Sequence, residues 1–124
     1  MRAALQVPEA VLQQTFADLS RMLPEEGVGL WSGSGQEVRT WTFLPNAAGH
    51  GERRVRFTVH PQDWIQALVS SSERGEAPLA LVHSHPTAPP VPSAHDRKHW
   101  YYPDLWCVIV SFADGTPRWR AFQL

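Results

Sequence analysis

Leu79 to Asp96 reads LALVHSHPTAPPVPSAHD, and the spacing inside this stretch governs how the rest of the chain must be arranged. Leu79–Val82 is an apolar run predicted as a buried strand. Strand side chains alternate in direction, so His83 and His85 at its end point to one face. Two imidazoles placed that way can share one ion. Pro86 withdraws a backbone donor and ends the strand, and Pro89, Pro90 and Pro92 bias the next segment toward an extended, stiff path. Ser93 to Asp96 has the Ser-x-x-acid form of a helix start, which brings Asp96 back over the histidines from a second element. Two nitrogens and one carboxylate suit zinc, and three protein ligands leave a fourth tetrahedral position for water. Water whose pKa falls to about 7 is a nucleophile, so the expected chemistry is hydrolysis, with a carboxylate elsewhere in the chain as general base.

The same residues have plainer readings. A His-x-His at a strand end is often a hydrogen-bonded pair, and Ser93 with Asp96 can be a simple capping box, a device worth about 1 kcal/mol. Asp96 is not expected to cap and bind a metal at once, and metal binding is the preferred reading. His95 and His99 are read as exposed helix residues, although either would close the site if it took the fourth position.

His83-Ser84-His85-Pro86, the ten-residue gap to Asp96, and Ser93 three residues before it resemble the signature of the JAMM (MPN-plus) metallopeptidases. That family also carries a Glu upstream, before a glycine that opens a strand. Pro24-Glu25-Glu26-Gly27-Val28-Gly29-Leu30 matches, with Glu26 in that place and Glu25 as its alternative. Leu44-Pro45-Asn46-Ala47 and Arg56 to Pro61 extend the resemblance over nearly the whole chain. It implies a zinc site of His83, His85 and Asp96, with Glu26 as general base and Ser93 steadying the oxyanion. It also implies a deaminase-like sandwich, of the compact stand-alone prokaryotic type. The implied substrate is an amide or isopeptide bond at the C-terminal tail of a ubiquitin-like or sulfur-carrier protein.

The chain has 124 residues, formal net charge −1, 43% hydrophobic and 19% charged residues, which fits one domain over 1–124. The near-neutral balance argues against nucleic acid as a partner. No apolar run is long enough to span a membrane, and Met1 to Thr15 lacks the apolar core of a signal peptide. The lone Cys107 lies in an apolar run where a buried, inert thiol is expected, and a cytoplasmic location is expected from these features together.

The expected fold class is α+β (mixed α/β): a central mixed sheet between two main helices, with a short helix after the metal loop. The first helix is expected from Pro8 to Met22, with Leu12, Phe16, Leu19 and Leu23 on one stripe. Next come a strand at Val28–Trp31, a turn at Ser32–Gly35 and a strand at Glu37–Leu44. Arg53–Val59 alternates and is predicted as a half-buried strand whose arginines face water. A helix from Pro61 to near Gly75 carries Trp64, Ile65, Leu68 and Val69. Trp100, Tyr101 and Tyr102 either line a groove or cover a sheet edge. Leu105–Phe112 and Arg118–Phe122 are strands joined through Asp114-Gly115.

Two other functions are open to this sequence. One is a zinc-stabilised scaffold or ubiquitin-like-protein reader without turnover. The other is a deaminase-like hydrolase of a small molecule, which the single cysteine disfavours, because zinc deaminases use Cys-x-x-Cys.

Overall fold

The computed structural model describes residues 4–124. In chain order it contains α1 (Glu9–Met22), β1 (Val28–Ser34), β2 (Glu37–Leu44), a 3-10 turn at His50–Glu52, α2 (Pro61–Glu73), β3 (Ala77–His85), α3 (Ala94–Lys98), β4 (Trp106–Ser111) and β5 (Arg118–Phe122). The five strands form one sheet in the order β2-β1-β3-β4-β5. Only β3 and β4 run parallel, the connection between them passing through α3. The other neighbours are antiparallel, so the sheet is mixed.

Alternation along the central strands divides the core between two faces. Trp31, Val38, Ala80, Val82, Val108 and Val110 pack with Val11 and Leu19 of α1. Val28, Leu30, Leu44 and Leu81 pack with Ala67 of α2 and with Leu105. One helix therefore covers each face, as expected for strands whose neighbouring residues are both apolar. His83 and His85 share the parity of Leu81 and so emerge on the α2 side.

Helix α1 buries Val11, Thr15 and Leu19, with Leu12 and Phe16 of the expected stripe packed against the same core, while Leu23 sits at the C-cap and is exposed. Thr15 is tolerated in that core because its hydroxyl donates to the Val11 carbonyl and accepts from the Trp31 indole, at 2.8 and 3.0 Å. In α2 the inward residue is Ala67, with Trp64 packed against the same cluster. Ile65 and Val69 point outward and are exposed.

Two local expectations are corrected. β1 runs on through Ser34, and the turn is centred on Gly35, whose φ of +64° lies in the left-handed region that glycine enters freely. Arg53–Val59 is not a strand: residues 53–55 form turns, and 56–60 run without a sheet partner. Its backbone groups are satisfied elsewhere. Val55 and Arg56 N–H groups both reach the Glu52 carbonyl at 3.1 Å. The Asn46 side chain donates to the Arg56 carbonyl and accepts from Thr58 N–H, at 3.1 and 3.2 Å. The alternation in sequence was real, since Phe57 and Val59 pack inward, but one buried asparagine replaces the neighbouring strand.

Candidate metal centre and active site

β3 delivers both histidines fully or almost fully buried, with His83 at 0% and His85 at 4% exposure. The His85 Nδ1 lies 2.9 Å from the Pro89 carbonyl, which can only accept, so Nδ1 carries the proton and donates it. The other nitrogen, Nε2, then faces Asp96 Oδ2 at 3.1 Å. A lone pair aimed at a carboxylate oxygen is repulsive unless a proton or a metal cation stands between them. Burial lowers the proton affinity of His85, but the Asp96 hydrogen bond, the Pro89 carbonyl and the charges of Asp96 and Glu26 outweigh it, and the net direction is upward. Burial likewise pushes Asp96 up, yet the His85 bond, the His83 charge and the Ser93 N–H hold it far below the usual carboxylate range.

Asp96 reaches the histidines from the first turn of α3. Ser93 caps that helix by accepting from Asp96 N–H at 3.0 Å, while Asp96 Oδ2 accepts from Ser93 N–H at 2.9 Å. Capping does not turn Asp96 away from the histidines: it closes the capping box with the same oxygen that faces His85, which is possible because a carboxylate oxygen has two lone pairs. Asp96 Oδ2 also lies 3.8 Å from His83 Nε2. His83, His85 and Asp96 each offer one ligand atom, all within 4.8 Å of one another, a group that can hold a metal ion. Ligands about 2.0 to 2.1 Å from a tetrahedral ion stand about 3.3 Å apart, close to the His85–Asp96 separation.

Glu26 completes the cluster from the connection between α1 and β1. It is 6% exposed, and its Oε1 lies 3.6 Å from His83 Nδ1. Both atoms are buried without a hydrogen-bond partner. Orphaned polar atoms of this kind are costly in a folded core, and two of them face to face fit a cluster built around a cation and its water. Three contacts hold Glu26 there. Its N–H donates to the Arg53 carbonyl at 2.6 Å, and its carbonyl accepts from Asn46 at 2.9 Å. The adjacent Gly27 N–H donates to Ser84 Oγ at 2.8 Å, tying this connection to β3 between the two histidines. A Cβ at Gly27 would come 2.6 Å from Leu19 Cδ2, so a side chain there would force the buried Leu19 to shift. Glu25 is half-buried and lines a different cleft, beside Arg21, His50 and Arg54.

A groove of about 350 Å³ opens over His83 and Asp96, walled on one side by Arg56 to Val59 and on the other by His95 and by His99 to Tyr102. Of the two readings open in sequence the groove one holds, since residues 100–102 line the groove, while Trp100 and Tyr102 also pack on the α2-side face of the sheet rather than at its edge. Phe57 stacks on His83 with ring centroids 4.6 Å apart. Sequence reasoning missed that wall because its alternation matched a strand. It also missed Ser84 and Asn46 as the groups that hold Glu26 in place. Cys107 lies behind His83, its Sγ 4.0 Å from Nε2, and burial pushes the thiol up to about 12, as expected of an inert cysteine.

Residues 8–124 match the family described as prokaryotic homologs of the JAB domain. A relative from Thermus thermophilus named "Probable TtuB-protein conjugate cleaving protease" is 39% identical over 122 residues, covering 97% of this chain and 76% of the relative. A "Desampylase" from Haloferax volcanii is 32% identical over 89 residues, covering 71% of this chain and 63% of its own. The crystal structure of a JAB1/MPN domain protein from Archaeoglobus fulgidus superposes with a TM-score of 0.62 over 96% of this chain and 89% of that one, at 20% identity, a likeness of fold.

Proposed function

This chain belongs to the family of prokaryotic homologs of the JAB domain, and on that premise we propose that it is a zinc-dependent hydrolase of amide or isopeptide bonds at the C-terminal tail of a ubiquitin-like or sulfur-carrier protein. The observation that carries the reading is the pair of orphaned buried atoms, Glu26 Oε1 and His83 Nδ1, set beside a His-His-Asp cluster at a groove. The names of the Thermus and Haloferax relatives, a conjugate-cleaving protease and a desampylase, support the substrate class. The assignment covers residues 1–124 as one domain. A cytoplasmic location is part of the same proposal, supported by the buried free Cys107. Among the described residues no helix is long and apolar enough to cross a membrane.

His83, His85 and Asp96 would hold the metal. Zinc bound there supplies a Lewis acid and a water acidified to a pKa of about 7. Glu26 takes a proton at Oε1, the atom with no competing hydrogen bond, and returns it to the departing amine. Ser93 Oγ accepts from Asp96 N–H and keeps its own proton to donate to the oxyanion. The Pro89 carbonyl fixes the His85 ring, and the cap fixes Asp96, so neither needs to reorient during turnover. An extended tail can lie along Arg56–Val59 in the manner of strand addition at Phe57 and Val59, since Glu52, Asn46 and Ala47 already engage the backbone of Arg56 and Thr58.

The test is cleavage of a panel of ubiquitin-like and sulfur-carrier proteins bearing lysine-linked C-terminal adducts, with zinc content measured in the same preparation. Hydrolysis that is lost on chelation and restored by zinc is the expected result. Stoichiometric zinc with carrier binding and no turnover would make the protein a reader instead.

A further inference from the structure

We propose that the groove beside the candidate metal centre selects carrier tails with an acidic side chain among the three residues preceding the terminal glycine pair, with Arg56 as the specificity-determining residue. This rests on the proposed function, in which a carrier tail is the substrate.

Arg56 sits on the groove wall with its backbone pinned at both ends, N–H to the Glu52 carbonyl and C=O to Asn46 Nδ2, each at 3.1 Å. Its guanidinium is less well served. The Nε atom is buried with no hydrogen-bond partner, and Nη1 approaches Glu52 Oε2 only to 3.4 Å, longer than a strong charge-assisted bond of about 2.7 to 2.9 Å. The side chain as a whole is 41% exposed, so the outer edge of a loosely paired guanidinium, not the buried Nε, is what a carboxylate can reach.

The facing wall offers no competing acidic partner. His95 and His99 stack with ring centroids 4.2 Å apart, and Lys98 lies between them in sequence. Both histidine rings line the groove opposite Arg56, and neither brings an acidic group to it. Asp96 is the only acidic residue lining the groove among the described residues, and it is engaged with His85. A basic tail entering here meets the Arg56 guanidinium as a like charge, whereas an acidic one meets a cation held only loosely by Glu52.

The experiment uses the zinc-loaded full chain and synthetic peptides ending in Gly-Gly, the last carbonyl joined to the lysine Nε of a fluorescent acceptor. Glu, Gln or Lys is placed in turn at each of the three preceding positions. At one position or more, Glu is expected to exceed Lys about tenfold in kcat/KM, carried by KM. Arg56→Glu reverses that preference. Equal or better cleavage of the Lys peptides at all three positions overturns the inference, as does an Arg56→Glu variant that slows every peptide alike, the mark of a structural role. If no peptide is cleaved, the hydrolase reading fails, and anisotropy binding of the same tails as free acids decides the inference separately. Tighter binding of a Glu tail than its Lys counterpart supports it, and indifference overturns it.

Discussion

A glutamate flanks each end of the β1–β3 pairing, half-buried Glu76 at one and buried Glu26 at the other, and the two are treated in opposite ways. Beyond Ser32, Glu76 accepts from Ser32 Oγ and Arg74 Nε at Oε1 and from Thr40 Oγ1 at Oε2, each at 3.0 Å. Beyond Val28, Glu26 leaves Oε1 without any donor, 3.6 Å from an equally unpartnered nitrogen of His83. The first is a polar cluster completed by the chain itself, tying β1, β2 and the end of α2 together. The second leaves two buried polar atoms facing each other without a hydrogen bond. Satisfied networks hold a fold in place, and unsatisfied ones mark where a fold has a task.

The contrast makes graded, checkable statements. Glu26→Gln is expected to lower kcat/KM for a carrier-tail substrate by about 100-fold or more while retaining zinc and the wild-type melting temperature. A variant that instead melts early would mean Glu26 is structural, and the two ends would be alike. Chelation is expected to destabilise the wild type by about 2.7 kcal/mol where zinc had been present at a hundredfold over its Kd, and to leave Asp96→Ala nearly unmoved. Calorimetry with and without chelator measures both.

At the other end, Glu76→Gln is expected to cost about 2 kcal/mol of unfolding free energy in urea titrations, because it weakens three hydrogen bonds to a charged acceptor. Turnover per folded molecule should not change. The smallest effect is in pH. Burial pushes Glu76 up, but the bonds from Arg74, Thr40 and Ser32 outweigh it and hold the group below the ordinary glutamate value. A carboxylate lowered on folding contributes stability that is complete above its unfolded pKa, about 4.3, and is lost as pH falls through the folded value. The gap between wild type and Glu76→Gln should therefore be full at pH 7 and begin to close below about pH 4.3. A gap that widens on acidification would reverse the sign of the argument.

Much of the site was legible because its members lie at short, rigid spacings. His83 and His85 are two residues apart on a strand, and Ser93 and Asp96 span one capped turn, so local geometry alone orients each pair. What was not legible depends on partners distant in sequence. Arg53–Val59 had the periodicity of a strand, but periodicity reports which side chains face inward, not what the backbone bonds to. Here Asn46 takes those bonds. The reach of Glu26 to His83 is set by Asn46, Arg53 and Ser84, none of which signals that role in sequence. That Asp96 Oδ2 both closes the capping box and faces His85 was also hidden, because the two looked like alternatives along the chain.

By itself the sequence determined the alternation of elements, the family and the set of residues at the candidate centre, because these arise from periodicity and from fixed short spacings along one chain. Only the tertiary structure decided that Glu26 rather than Glu25 faces His83, that one carboxylate completes its own hydrogen bonds while another is left open, and that Arg56 shares a groove with His95 and His99. Those outcomes depend on which buried donors meet which acceptors across many intervening residues, and no local preference encodes that pairing.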